Sequence, residues 1–208
     1  MALDLNNEKD LNDKLSELFS RNKKNIFISI FLFVTFYVLF IYISGSDEKK
    51  LFEASNMYQK IQLSKNVNDS DEIVSELKEN FKDTPYAARA SVFLGNVYSK
   101  EKKYDIAKDY YIWSIQNAVE PSIKSLAHYQ LGLNYYVTED YKSAFQEANN
   151  IEGDGFLGLK NYLLGDIYLK MNNKKEALKC YQIAFDYYID KNDLAKVVKT
   201  KIDAISQE

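Results

Sequence analysis

The chain has 208 residues, is 46% hydrophobic and carries a formal charge of −3. Two prolines and seven glycines are too few turn formers for an all-β protein with many hairpins, whereas the Ala, Leu, Lys, Glu and Tyr content suits helices. A sequence pI near 5.4 leaves no basic footprint for nucleic acid, and a lone cysteine, Cys180, excludes a disulfide framework or a multi-cysteine metal site.

Residues 1–25 carry five acidic and five basic side chains. Leu11, Leu15, Leu18 and Phe19 recur at helical spacing, so the segment reads as a short amphipathic helix, cytoplasmic if the next element spans a membrane. That element, residues 26–43, is IFISIFLFVTFYVLFIYI, without charge, Pro or Gly. Its length matches the ~17–25 residues that cross a bilayer core, and in lipid a helix is the way a lone segment satisfies its backbone. Tyr37 and Tyr42 lie towards one end, where amphipathic rings favour the interface. A cleaved signal peptide is the alternative, with Ser44-Gly45-Ser46 as its cleavage site. The apolar run, however, exceeds the roughly 7–15 residues of a signal core, which favours a permanent anchor. Arg21, Lys23 and Lys24 precede the span, while Lys49 and Lys50 after it are diluted by Asp47 and Glu48. The positive-inside rule then puts the N-terminus in the cytoplasm and residues 47–208 outside it.

From residue 47 the pattern is repetitive. Gly95, Gly132 and Gly165 are spaced by 37 and 33 residues. Each follows a leucine (Leu94, Leu131, Leu164), precedes a tyrosine by three (Tyr98, Tyr135, Tyr168) and an alanine by twelve (Ala107, Ala144, Ala177). Tyr111, Ala148 and Tyr181 come four further on. A period near 34 with these residues resembles the tetratricopeptide repeat, in which each unit is a helical hairpin. Gly and Ala permit close backbone approach while Leu and Tyr fill the space beside them, so these positions read as core. The polar stretches 100–103, 139–140 and 172–173 read as turns. Leu51, Ala54, Tyr58 and Ile61, then Ile73, Leu77 and Phe81, predict a degenerate first hairpin over 47–83. Leu194, Val197, Val198, Ile202 and Ile205 predict a capping helix. The expected fold is all-α: one transmembrane helix, then an α-solenoid of about four hairpins and a cap, with about ten helices after the span and no sheet.

No catalytic constellation emerges, and neither an enzymatic activity nor a cofactor is expected. Gly153-Asp154-Gly155-Phe156-Leu157-Gly158 fits G-x-G-x-x-G, but a helical pattern precedes it where a dinucleotide site needs a strand, so it reads as a flexible turn. His128, the only histidine, falls at a packing position with no second ligand beside it. Cys180 lacks a base, though Lys179 beside it would lower its pKa slightly. Trp113 reads as packing within a second hairpin helix.

The repeat resemblance implies a protein-binding groove on the concave face, lined by the first helix of each hairpin. Mapped onto this chain, its positions are Arg89, Val92, Asn96 and Ser99; Leu126, Tyr129, Leu133 and Tyr136; Leu159, Tyr162, Asp166 and Leu169. The clamp of Lys and Asn that holds chaperone tails in one class of these repeats is missing, apart from Asn96. The Leu and Tyr instead suit an apolar helix or segment, unless the groove is covered.

The stretch IEGDGFLGLKNYLLGDIYLKMNNKKEALKCYQIA and the ending TKIDAIS, with the order of parts, resemble the YfgM-type ancillary subunits of the bacterial Sec translocon. Here Asn172-Asn173 stands where that family has a Gly-Asp turn. The resemblance implies an inner-membrane protein with a periplasmic repeat domain. Its partners would be the SecYEG translocon, a membrane-anchored parvulin-type prolyl isomerase and exported polypeptides, with the lipid bilayer held through residues 26–43 and no nucleic acid involved. A scaffold of another envelope complex binding one folded partner is the alternative. A third option is an enzyme regulator acting through the cytoplasmic tail.

Overall fold

The computed structural model describes residues 5–64, 66–189 and 193–207; for 5–19 and 39–46 it describes backbone alone. Among the described residues there are nine α-helices, one 3-10 turn and no strand. The contacts divide the chain into two units, Met1–Lys49 and Lys50–Glu208.

The first unit belongs to helix α1 (Leu5–Leu63). Phe27, Phe31, Phe33 and Phe36 are each more than 60% exposed, and every large apolar side chain from Phe27 to Val38 lies open except that Ser29 and Thr35 interrupt the run. Among the described residues no helix is long and apolar enough to cross a membrane. The expected span 26–43 runs into residues 39–43, whose side chains lie outside the described set, as do those of Leu11, Leu15, Leu18, Phe19 and Tyr42.

The second unit is a row of hairpins. The end of α1 and α2 (Val67–Asn80) are followed by α3 (Pro85–Lys100) with α4 (Tyr104–Asn117) and α5 (Pro121–Val137) with α6 (Tyr141–Asn149). A 3-10 turn (Asp154–Phe156) leads to α7 (Leu157–Lys170), α8 (Lys174–Tyr188) and α9 (Leu194–Ser206). Each first helix touches the next, α3 on α5 and α5 on α7, and each second helix touches the first helix of the following hairpin. That pattern is a solenoid, in which each repeat contacts its neighbours.

The turns of the three glycine-marked hairpins share one backbone geometry. Lys102, Glu139 and Asn172, each seven residues past the repeat glycine, have φ of 61°, 65° and 58°. The next N–H, of Lys103, Asp140 or Asn173, donates to the carbonyl of Tyr98, Tyr135 or Tyr168 at 2.8–2.9 Å. These are Schellman caps, which ordinarily take glycine at the left-handed position. Asn172 tolerates that conformation better than Lys or Glu because its short side chain can bond locally. Asp140 and Asn173 then cap the second helix, accepting from the N–H of Ser143 and Glu176. Lys103 makes no such side-chain bond.

The repeat residues occupy the core as expected. Leu94, Leu131, Leu164 and the three alanines are buried, with Tyr98 buried and Tyr135 and Tyr168 half-buried. A Cβ on Gly95 would come within 2.6 Å of the Tyr111 ring, and one on Gly165 within 2.5 Å of the Tyr181 ring. At Gly132 the facing residue is Ala148, and the nearest atom is instead Cδ2 of Leu163, from α7, at 3.0 Å.

Four expectations need correction. Leu51 is exposed, so of that stripe the first hairpin buries Ala54 and Ile61, with Tyr58 half-buried. Leu194 and Val197 are exposed, because the inward stripe of α9 is Ala195, Val198, Ile202 and Ile205 and its period turns their neighbours outward. The G-x-G-x-x-G stretch is not wholly a flexible turn. Gly153 adopts a φ of 90°, but Gly158 lies within α7, where a Cβ would meet the Tyr188 ring at 2.4 Å. Cys180 is buried and burial pushes its thiol up; Lys179 pulls the other way without prevailing.

Two stability outcomes follow from this geometry. Lys102→Gly and Glu139→Gly relieve left-handed strain of roughly 1 kcal/mol and raise the melting temperature by about 2–4 °C each, Asn172→Gly by less. Lower melting for the Lys102 variant would contradict the assignment. Gly95→Ala and Gly165→Ala cost about 1–3 kcal/mol through overpacking, and Gly132→Ala costs less because a leucine methyl can move; urea denaturation reads all three.

Candidate functional site

The groove is built on α3, α5 and α7. All ten of its chemically distinctive candidates, Arg89, Asn96, Leu126, Tyr129, Leu133, Tyr136, Leu159, Tyr162, Asp166 and Leu169, are half-buried. Of the other two mapped positions, Val92 is buried and Ser99 half-buried. The structure distributes the set over two ends and an apolar middle.

At the N-terminal end, Arg89, Val92, Asn96 and Leu126 come together with Tyr58, Phe93 and Ile123 around a hollow of about 190 Å³. Its walls are apolar and its polar groups are fixed. Arg89 donates through Nε and Nη2 to both carboxylate oxygens of Glu120 at 2.8 and 2.7 Å, a bidentate pair that orients the guanidinium. Asn96 Oδ1 accepts from the Tyr111 hydroxyl at 2.8 Å. Tyr111 is thus the ring against Gly95 and the tether of a groove residue at once.

At the C-terminal end the same device recurs. The Tyr181 ring lies against Gly165, and its hydroxyl donates to Asp166 Oδ1 at 2.5 Å. Asp166 also takes an ion pair from Lys201 of α9. The Lys201 ammonium stands 4.5 Å from the centre of the Tyr162 ring and 5.6 Å from that of Tyr181. Burial pulls the Lys201 amine down, but Asp166 and the Tyr162 hydroxyl outweigh it and hold the amine above its ordinary value. Tyr162 and Leu169 pack against the core cluster that includes α9, so this end of the groove is partly closed by the capping helix.

Between the two ends the lining is apolar. Leu133 stands where the outer repeats have Asn96 and Asp166, and Ala148 stands where they have Tyr111 and Tyr181. Tyr129, Leu133 and Tyr136 pack on the core cluster of α6 and α7, with the Tyr136 and Tyr141 rings 5.8 Å apart. Burial, followed by the nearby Tyr188, Tyr162 and Asp166, pushes the Tyr129 hydroxyl up to about 12.

Sequence reasoning missed Tyr58, Phe93, Ile123, Glu120 and Lys201. The signal for Lys201 was present: the α9 stripe continues the helical order as one more first helix, so a groove position on it was to be expected. Among the described residues no group of three or more His, Cys, Asp or Glu could hold a metal ion.

The tyrosines fix the alkaline behaviour. Tyr98 and Tyr111 are pushed up to about 12, chiefly by burial, as is Tyr129. A phenol whose folded pKa is raised contributes stability fully present below its unfolded value, near 10, and lost as pH rises through the folded one. Lys201, also raised, has the same sign. The helical circular dichroism should therefore hold to about pH 10 and collapse between about 10 and 12, together with a step in phenolate absorbance. Gradual phenolate formation with no loss of helix would refute the buried assignments.

Two comparisons bear on what this architecture is. A search of curated proteins finds no match. A family model described as a tetratricopeptide repeat-like domain matches residues 17–207, nearly the whole chain. Three hairpins with Gly–Tyr or Gly–Leu crossings, Schellman-capped turns and an α-helical cap agree with that match. The chain belongs to the tetratricopeptide repeat-like domain family, whose members characteristically serve protein–protein interaction.

Proposed function

We propose that this protein is a non-catalytic, membrane-anchored subunit whose groove holds an apolar helix or exposed apolar segment of another polypeptide. The observation that carries the reading is the groove lining: Leu126, Tyr129, Leu133 and Tyr136 offer half-buried apolar and aromatic surface, and the charges at either end are already paired. Tyrosine supplies large contact area at low entropic cost, which suits varied apolar partners. The open phenylalanines between Phe27 and Phe36 support an anchor, because apolar side chains exposed around a helix call for lipid or another chain. In this reading residues 26–43 lie in the inner membrane, the N-terminus is cytoplasmic and the repeat domain periplasmic.

The partners proposed are the SecYEG translocon, a membrane-anchored parvulin-type prolyl isomerase and exported polypeptides. Support comes from the similarity of residues 151–184 and of the order of parts to YfgM-type subunits. Tethering beside a channel exit would raise the effective concentration of the groove for emerging segments. The second reading, a scaffold of another envelope complex, uses the same groove for one folded partner.

Photo-crosslinking in living cells separates the two. A probe at Tyr136, with a matched probe at exposed Lys174, should give adducts with translocon subunits, the isomerase and many exported chains at position 136 only. A single adduct with another envelope protein would establish the scaffold instead. Equal labelling at both positions would remove the groove from consideration.

A further inference from the structure

A polar hollow lies outside the groove, and its cause is visible in the helix lengths. The second helices of the outer repeats, α4 and α8, have 14 and 15 residues, whereas α6 has nine. The chain therefore leaves α6 roughly a turn and a half early. It continues as a non-helical segment from Asn150 to Gly153. Where the rest of a helix would have packed on α5 there is a hollow of about 340 Å³, lined by Ile115, Pro121, Lys124, Ser125, His128, Asn150 and Glu152.

His128 forms its floor. The residue is 8% exposed, and its Nδ1 lies 2.7 Å from Glu147 Oε2. A carboxylate only accepts, so Nδ1 carries the proton and Nε2 is the atom left for the hollow. Nε2 has no hydrogen-bond partner among the described residues and is not fully enclosed; the one fully enclosed, unpaired side-chain atom among them is Ser91 Oγ, on α3 and outside this hollow. Position by position, the outer repeats carry Ser91 and Asn161 where α5 carries this imidazole, and Asn161 turns back to the Leu157 carbonyl. The histidine thus coincides with the shortened helix.

The remaining lining sorts by chemistry. Ser125 Oγ accepts the Glu152 N–H at 3.1 Å, which leaves its hydroxyl proton to donate. Lys124 lies four residues before His128 on the same face of α5 and makes no ion pair among the described residues. The donors Lys124 and Ser125 therefore sit together on α5, Glu152 lines the hollow from the segment after α6, and Ile115 and Pro121 supply an apolar wall.

We propose that this hollow binds a small zwitterion of the α-amino-acid type. Its carboxylate meets Lys124 and Ser125, its ammonium meets Glu152 and the His128 Nε2 lone pair, and its side chain lies against Ile115 and Pro121. The site is independent of the groove and of the partners assigned to it. The volume suits a ligand of this size and is too small for a folded segment.

His128 is the only histidine, so its ring resonances in the full-length, isotope-labelled protein report this hollow alone. At fixed pH and ionic strength, L-leucine should shift them saturably. Leucinamide, lacking the carboxylate charge, and isocaproate, lacking the ammonium, should each bind at least about fivefold more weakly. Lys124→Gln and Glu152→Gln, both at exposed side chains, should weaken leucine to a similar degree while the helical circular dichroism is retained. Tyr136→Ala should leave the titration unchanged. No saturable shift, equal binding of isocaproate or leucinamide, or parent-like titration of the Lys124 and Glu152 variants would each overturn the proposal.

Discussion

The contact on which the structure depends is a tyrosine ring packed directly against a glycine. At Gly95 and Gly165 the facing ring approaches so closely that even a methyl group would collide with it. The approach brings the two helices of a hairpin together, and it also carries a hydroxyl through the crossing to the groove side. A buried phenol needs a partner, and the next residue of the first helix provides one, Asn96 or Asp166. Core packing and groove chemistry are therefore one arrangement in these repeats. In the last repeat the arrangement extends further, since Asp166, fixed by Tyr181, then holds Lys201 and with it the capping helix.

The middle repeat departs from the rule in a consistent way. Ala148 replaces the tyrosine, so no hydroxyl arrives and Leu133 replaces the polar acceptor. Leu163 from the next hairpin moves into the space beside Gly132. The same repeat has the shortened α6, and buried Ile151 closes the core where the helix has ended. One relaxed repeat thus yields both the apolar centre of the groove and the polar hollow behind His128.

Much of this was legible, and the limits have physical causes. The repeat glycines, leucines and alanines are written at fixed spacing because their role is steric and local to a hairpin. The turns were legible too, although their left-handed residues are Lys, Glu and Asn in place of glycine; the pattern is held by the carbonyl three residues past each repeat glycine. Ring-to-glycine pairing was not legible, because a sequence spacing of sixteen does not say which atoms meet. For Lys201 the helical order pointed to its position, but not to its partner Asp166, 35 residues away on another helix. Leu194 and Val197 misled for a simpler reason: hydrophobicity alone does not choose between two adjacent stripes of one short helix, and packing against α8 does.

The pairing of charges decides what kind of contact the groove can reward. Arg89 is held by Glu120 at one end and Lys201 by Asp166 at the other, and each pair is partly buried. A charged ligand at either end meets a charge whose partner already holds it, so it competes with an existing contact. An apolar segment meets no such cost. It can lie along Leu126, Tyr129, Leu133 and Tyr136 while both ion pairs stay closed, so its affinity comes from area removed from water and depends little on salt. Under the function proposed above, the internal neutralisation of the ends favours an apolar occupant, because the charges offer it no unmet partner.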